Sequence, residues 1–249
     1  LINAWCYTHN DWGQPFLGDG TTAAQHWATP LTGAYFDERG HSQQFIHYDG
    51  PVMRPALGNG FIYSRHFPDS AQGNFYFACV INMNGILQFK VEDDGSGYRG
   101  TRVEDLVTST DRNFRPGDPQ IGPDGALYFI DWHNPLIGHM QYSQRDPNRD
   151  HSHGRIYRIS ANDRPLVTPV TQAGKSVPEL LEQLREYEVA TKYRVHRELR
   201  DRPKDEVLRA AEDLLGKLDP YNLDDERLMT ELMWVFAGHQ TAHEPLMRY

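Results

Sequence analysis

The hydrophobic period of this chain changes once, near residue 162, and that change decides what kinds of fold are open to it. Before it, apolar residues come in short β-prone runs: Phe61-Ile62-Tyr63, Asn74 to Val80, Gly85 to Val91, Ala126 to Ile130 and Gly154 to Ile159. Between them stand turn signals, namely Asp19-Gly20, Asn84-Gly85, Asp93-Asp94-Gly95-Ser96-Gly97 and Gly122-Pro123-Asp124-Gly125. Turns recurring this often predict an antiparallel, all-β segment. At forty-odd residues per blade, residues 1–162 would hold about three to four blades, whereas a closed propeller has about four to eight. The expectation is therefore a partial β-propeller, its C-terminal blades, in a chain that is a fragment of a longer protein.

After Asn162 the period becomes helical. Residues 163–175, with Pro165 and Pro169, read as a linker. Ser176 followed by Glu179 is a capping box, and the helix it opens carries Leu180, Leu181 and Leu184. A second helix is expected from about Glu188 to Arg200. In the third, Val207, Leu208, Ala211, Leu214, Leu215 and Leu218 make one apolar stripe. A fourth, entered after Asp224, carries Leu228, Met229, Leu232, Val235 and Phe236. Four amphipathic helices with brief connections over 176–249 suit either HEAT-like repeats, truncated, or a four-helix bundle. The fold class expected is thus multidomain, β followed by α.

Composition removes several functions. Net charge is −9 and both halves are acidic, so neither nucleic acid nor an anionic membrane is an expected partner. No apolar run approaches the roughly eighteen residues of a membrane span. There is no Cys-x-x-Cys-His for covalent haem and no G-x-G-x-x-G between a strand and a helix for a nicotinamide. Cys6 and Cys79 are the only cysteines. They can be two buried thiols or a disulfide, and spacing does not choose between these.

The chemistry concentrates between two strands. From Asp131 to His153 the sequence holds His133, His139, His151 and His153 together with Asp131, Arg145, Asp146, Arg149 and Asp150. A long polar loop bracketed by good strands is where a scaffold carries a site. An imidazole oriented by a carboxylate can take a proton from a sugar hydroxyl. The same Asp, Asn and Arg residues also close turns and neutralise one another, and His151-x-His153 alone is a weak metal signal. His139, beside Met140, reads as packing, and Arg54 and the Arg65-His66 pair read as surface cations.

PDGALY, then the Asp131-Trp132-His133 turn, IGHMQ and RDPNRDHSHGRIYR resemble the last propeller blade of planctomycete-type membrane-bound dehydrogenases. These are distant relatives of the soluble quinoprotein glucose and sorbosone dehydrogenases. The segment from Asn10 to Gly20 resembles a sorbosone-dehydrogenase-like strand, in which Trp12 either stacks on a sugar or packs within a blade. The resemblance implies part of a periplasmic sugar or polyol oxidoreductase, with HEAT-like repeats after the propeller. It implies PQQ and calcium in the full-length protein, and c-type haem only in a domain outside this chain. The family's catalytic base and most of its calcium ligands would precede Leu1, so none is matched here, and the fragment alone is not expected to be competent. The candidate catalytic residues are His151, His153, Asp150, His133 and Asp131, with Arg145, Arg149 and Trp12 toward substrate. Two other readings stay open. One is a non-catalytic propeller with a protein partner on its helical repeats; the other is a metal-assisted hydrolase, which needs three converging ligands and an open position.

Overall fold

The computed structural model describes residues 3–27, 43–46, 54–135 and 146–248. The chain divides into two compact units, Leu1–Gly122 with Ala126–Pro165, and Pro123–Gly125 with Leu166–Tyr249.

In the first unit three sheets follow one another along the sequence. β1 (Ala4–His9), β2 (Pro15–Asp19), β3 (Gln25–Trp27) and β4 (Gln43–Gln44) make the first. The second contains β5 (Arg54–Phe61), β6 (Phe75–Ile81), β7 (Gly85–Asp94) and β8 (Gly97–Arg102), with β9 (Val107–Thr108) paired to β7. The third contains β10 (Pro116–Ile121), β11 (Leu127–Asp131) and β12 (Arg155–Ile159). Every pairing between these strands is antiparallel.

The second sheet is buried on both faces, which is why β6 and β7 read as continuous apolar runs. Side chains alternate across a strand. Phe75, Phe77 and Cys79 therefore join Phe16, Phe45 and Phe61 in a core shared with the first sheet. Tyr76 and Ala78 point the other way, to Phe114 and to Leu127 and Phe129 of the third. Sheet packing of this kind places the ends of β11 and β12 beside the loop from Thr108 to Phe114.

Two turn expectations meet different outcomes. Asp94 pairs with Gly97, leaving Gly95 and Ser96 as a two-residue turn with Gly95 at φ +63°. Asn84-Gly85, by contrast, is not the turn: Gly85 already lies in β7, and the left-handed residue of that connection is Asn82 at φ +65°. Gly85 is needed because a Cβ there would stand 2.4 Å from the Val107 carbonyl oxygen. His66 corrects another expectation, since it is buried and not a surface cation. Its Nδ1–H donates to the Pro165 carbonyl at 2.9 Å, and its Nε2 accepts from the Ala161 N–H at 3.0 Å.

The second unit contains α1 (Val177–Glu182), α2 (Val189–Arg200), α3 (Lys204–Leu215) and α4 (Leu223–Gly238). Their apolar stripes meet in one core with Leu180, Val195, Val207, Ala211, Leu232 and Phe236 at its centre. α4 begins before Asp224, because Asn222 accepts from the Asp224 and Asp225 N–H groups and caps it. Among the described residues no helix is long and apolar enough to cross a membrane.

The capping box forms as the sequence predicts. Glu179 accepts from the Ser176 N–H at 2.9 Å, and the Ser176 hydroxyl serves the Glu179 N–H in return. The Ser176 N–H and hydroxyl, with Lys175, hold the Glu179 carboxyl down at about 2. A carboxyl lowered on folding stabilises the fold above its ordinary value of 4.5 and loses that contribution as pH falls toward 2. Ser176→Ala is expected to cost about 1 kcal/mol at neutral pH. Unfolding midpoints of Glu179→Gln and the parent should converge on going from pH 5 to pH 2; a constant gap would show that the box does not titrate.

Candidate functional site

β11 ends on Asp131, and β12 begins on Arg155, its register partner. Asp131 is almost wholly buried. One carboxylate oxygen accepts from the Arg115 N–H at 2.7 Å and the His133 N–H at 2.8 Å. The other takes Arg155 Nε at 2.8 Å and Nη2 at 2.7 Å. Four donors on one carboxylate use its acceptor sites, so Asp131 organises the chain around it and is not itself presented to a ligand.

Arg155 carries that organisation outward. Its Nη2 also reaches Asp111 at 3.3 Å and contacts His133 Nδ1. Asp111 Oδ2 lies 3.7 Å from the same imidazole nitrogen. Burial alone would lower the Arg155 guanidinium, but its bonds to Asp111 and Asp131 outweigh that and raise it. Asp111 is held below the usual carboxylate range, first by the Asn113 N–H and then by Arg155 and His133. Arg115 lies beneath: burial pulls its guanidinium down against the opposing fields of Asp131 and Asp111. Its Nη1 donates to the Val80 and Phe114 carbonyls, while its buried Nε has no protein partner.

His133 stands at φ +48°, a left-handed conformation that costs a non-glycine residue energy and persists only where neighbours impose it. Here the Asp131 carboxylate imposes it through the His133 N–H. The side chains of Asp111, Arg155 and His133 remain 42%, 34% and 30% exposed, so the outer side of the cluster faces solvent.

Asp150, His151 and His153 form a different arrangement. Asp150 accepts from the Ser152 and His153 N–H groups at 2.8 and 3.1 Å and contacts His153 Nδ1 at 3.0 Å. The Ser152 N–H is the largest single cause that keeps this carboxyl low, and His153 adds to it. His151 and His153 are exposed. Upstream, Asp146 accepts from the Asn148 N–H, and the Arg149 N–H donates to the Asp146 carbonyl. The bonds of Asp150 thus stay within its own turn. Trp12 sits in the β1–β2 turn, its N–H on the Asn10 side chain, with 38% of its surface exposed. Arg145 and His139 lie outside the described residues.

Sequence reasoning found Asp131 and His133 but missed Asp111, Arg115 and Arg155. The signal for Arg155 was the alternation in β12: Arg155, Tyr157 and Ile159 share a face, and Tyr157 stacks on Phe129 at 5.4 Å. Ile156, on the other face, is 78% exposed.

The two cysteines are free and buried. Burial pushes each thiol up to about 11, and the Cys6 thiol bridges the Ala56 carbonyl and the Gly58 N–H. Neither is poised as a nucleophile.

The calcium implied by the resemblance does not fit these residues. Asp131 has its acceptor sites taken, and Asp111 lies against the Arg155 guanidinium, whose charge repels a cation. Among the described residues no group of three or more His, Cys, Asp or Glu could hold a metal ion.

A family model described as a domain of unknown function (DUF7133) matches residues 52–163, which take in β5 through β12 and the Asp131 cluster. No curated protein matches the chain. Solved structures similar to it include a glucose dehydrogenase, 21% identical with a TM-score of 0.38 over 52% of this chain and 37% of that one. The soluble aldose sugar dehydrogenase of Escherichia coli in its apo-form is 19% identical, with a TM-score of 0.35 over 52% of this chain and 41% of the other. A second glucose dehydrogenase is 16% identical, with a TM-score of 0.37 over 64% and 45% of the two chains. The chain thus spans about two fifths of the length of these structures.

Proposed function

We propose that the first unit is part of a sugar or polyol oxidoreductase of the glucose/sorbosone dehydrogenase-like propeller type, and that the Asp111–His133–Arg155 cluster holds substrate hydroxyls. The observation that carries this reading is the contact between Arg155 and His133 Nδ1. A guanidinium cannot accept a hydrogen bond, so Nδ1 is the acceptor and the ring proton is on Nε2. The cluster then offers an Nε2–H donor on one side of the ring and, 3.7 Å from Nδ1 on the other, a carboxylate held ionised. A vicinal diol is the complement of such a pair, with one oxygen to accept and one O–H to donate. Asp131 and Arg155 fix both partners in place, which lowers the ordering cost of binding.

The sugar substrate, an extracytoplasmic location and HEAT-like character for the helices belong to the same reading and rest on the sequence resemblance. The saturation of Asp131 favours a second reading, in which the cluster only braces the loop of a non-catalytic scaffold.

His133→Asn in the intact protein separates the two, because Asn tolerates the left-handed backbone yet removes the ring. Sugar oxidation or sugar binding is expected to fall at least about tenfold, equivalent to about 1.4 kcal/mol, with an unchanged unfolding midpoint. Unaltered activity, or a loss that tracks stability, would leave the brace. The pair His151→Ala with His153→Ala, made alongside, assigns the chemistry to the exposed turn if it alone removes activity.

A further inference from the structure

The second unit carries a groove that the reading above does not use. Its volume is about 200 Å³, and it is lined by His196, Leu199 and Arg200 of α2 and by Trp234, Val235 and His239 at the end of α4. Leu199 and Val235 are buried members of the helical core and form its apolar floor, while Trp234 stands at the rim, 39% exposed.

Both imidazoles are fixed in place. His239 Nε2–H donates to the Leu199 carbonyl at 3.1 Å, and His196 Nε2 meets Glu231 at 2.7 Å. Glu231 does not offer the groove a free charge, because Lys192 also holds it at 2.8 Å. Among the described residues no carboxylate lines the groove. Arg200 and, one turn earlier, Arg197 form no ion pair among the described residues; Arg197 lies instead over the Tyr193 ring. Cations in the last turn suit the negative end of α2, and that accounts for the arginines taken alone. It does not account for an apolar floor beneath a half-exposed Trp234, nor for a lining without acid in a unit that is acidic as a whole.

We propose that this groove docks an acidic linear segment of a partner protein. One bulky apolar side chain of that segment enters over Leu199 and Val235 against Trp234, and flanking carboxylates meet Arg200 and Arg197. The apolar anchor supplies most of the affinity, while the charges at the rim select the partner and make binding salt-sensitive.

The test uses the whole chain and a fluorescein-labelled probe peptide, Glu-Glu-Leu-Phe-Glu-Glu, followed by fluorescence anisotropy. Saturable binding is expected, and it should weaken as salt rises from about 50 to about 500 mM because exposed charges are screened. Arg200→Glu and Trp234→Ala should each weaken it by about tenfold or more. A peptide with Lys in place of Glu, or with Gly-Gly in place of Leu-Phe, should bind at least about tenfold more weakly. Arg200 is exposed, so Arg200→Glu should lower the unfolding midpoint only slightly, by the lost helix-end interaction, and leave the chain folded; if Trp234→Ala lowers it further, Arg200→Glu and the two altered peptides decide the matter. The proposal is overturned if the probe does not bind saturably, if either altered peptide binds as well as the probe, or if Arg200→Glu binds it like the parent.

Discussion

Asp131→Asn is expected to lower the stability of the first unit by about 3–5 kcal/mol, the range for breaking a buried ion pair by removing one partner. The size follows from what the carboxylate does. It is almost wholly buried and takes four donors, two from backbone N–H groups and two from Arg155. An amide of the same shape keeps one acceptor oxygen and turns an N–H₂ toward groups that are themselves donors. Arg155 is one-third exposed and can turn to water, which puts the expected loss near the lower end of the range. The Arg115 and His133 N–H groups share one carboxylate oxygen, so the Asn amide oxygen can keep both when it takes that place. The bond that imposes the left-handed turn at His133 is then kept, and the loss falls on the Arg155 side. Urea unfolding of Asp131→Asn, Arg155→Leu and the double variant checks this. The two losses should be markedly sub-additive because the residues share one interaction. A loss below about 1 kcal/mol for Asp131→Asn would show that the cluster is not what closes β11 against β12.

Parts of this arrangement were legible in the sequence and others were not, for reasons that differ residue by residue. β6 and β7 announced themselves because a strand buried on both faces must be apolar throughout, whatever lies around it. β5 was caught only at its last residue: Pro55, Gly58 and Gly60 interrupt the pattern, and Gly58 at φ +96° packs against Asp118 and Pro119, contacts that exist only in the fold. β10, reading PGDPQI, carries almost no strand signal, and its register breaks between Gly117 and Gln120 where Asp118 takes φ +47°. Its place is set by pairing with β11 and packing against β5 and β6, which override propensity. The candidate site divides in the same way. Asp131 and His133 were visible because they follow a strand directly. Asp111 was not, because 44 residues separate it from the Arg155 it contacts, and local pattern says nothing about such a meeting. The density of ionisable groups in 131–153 suggested one convergence, whereas the described residues form two. The Asp150–His153 turn is closed by bonds between residues two and three apart, and such a motif can form almost independently of the rest.

Phe75→Ala is expected to cost about 3–5 kcal/mol, through lost burial and the cavity left behind. Phe75 is fully buried, with the rings of Phe45 and Phe61 each at 5.2 Å, both edge-on, and that of Phe16 at 6.2 Å. Phe16 and Phe45 belong to the first-sheet side of this core, and Phe61 and Phe75 to the second sheet, so the ring joins two sheets and does not merely fill one. Neighbouring aromatic faces cannot collapse into the gap without abandoning their own edge-on contacts, which places the loss toward the upper end. Phe75→Leu keeps most of the volume and should cost less than half as much. Tyr76, one residue on, points toward the third sheet, and its hydroxyl reaches the Pro119 carbonyl only at 3.4 Å. Tyr76→Phe keeps the ring and gives up a bond at the limit of useful length, so it should cost well under about 1 kcal/mol. Hydrogen exchange gives the sharper check. In Phe75→Ala the amides of β2 should lose protection along with those of β6, because the two sheets are held by the same rings. If β2 keeps its protection while β6 loses it, the sheets are stabilised separately, and the shared aromatic core is not what joins them.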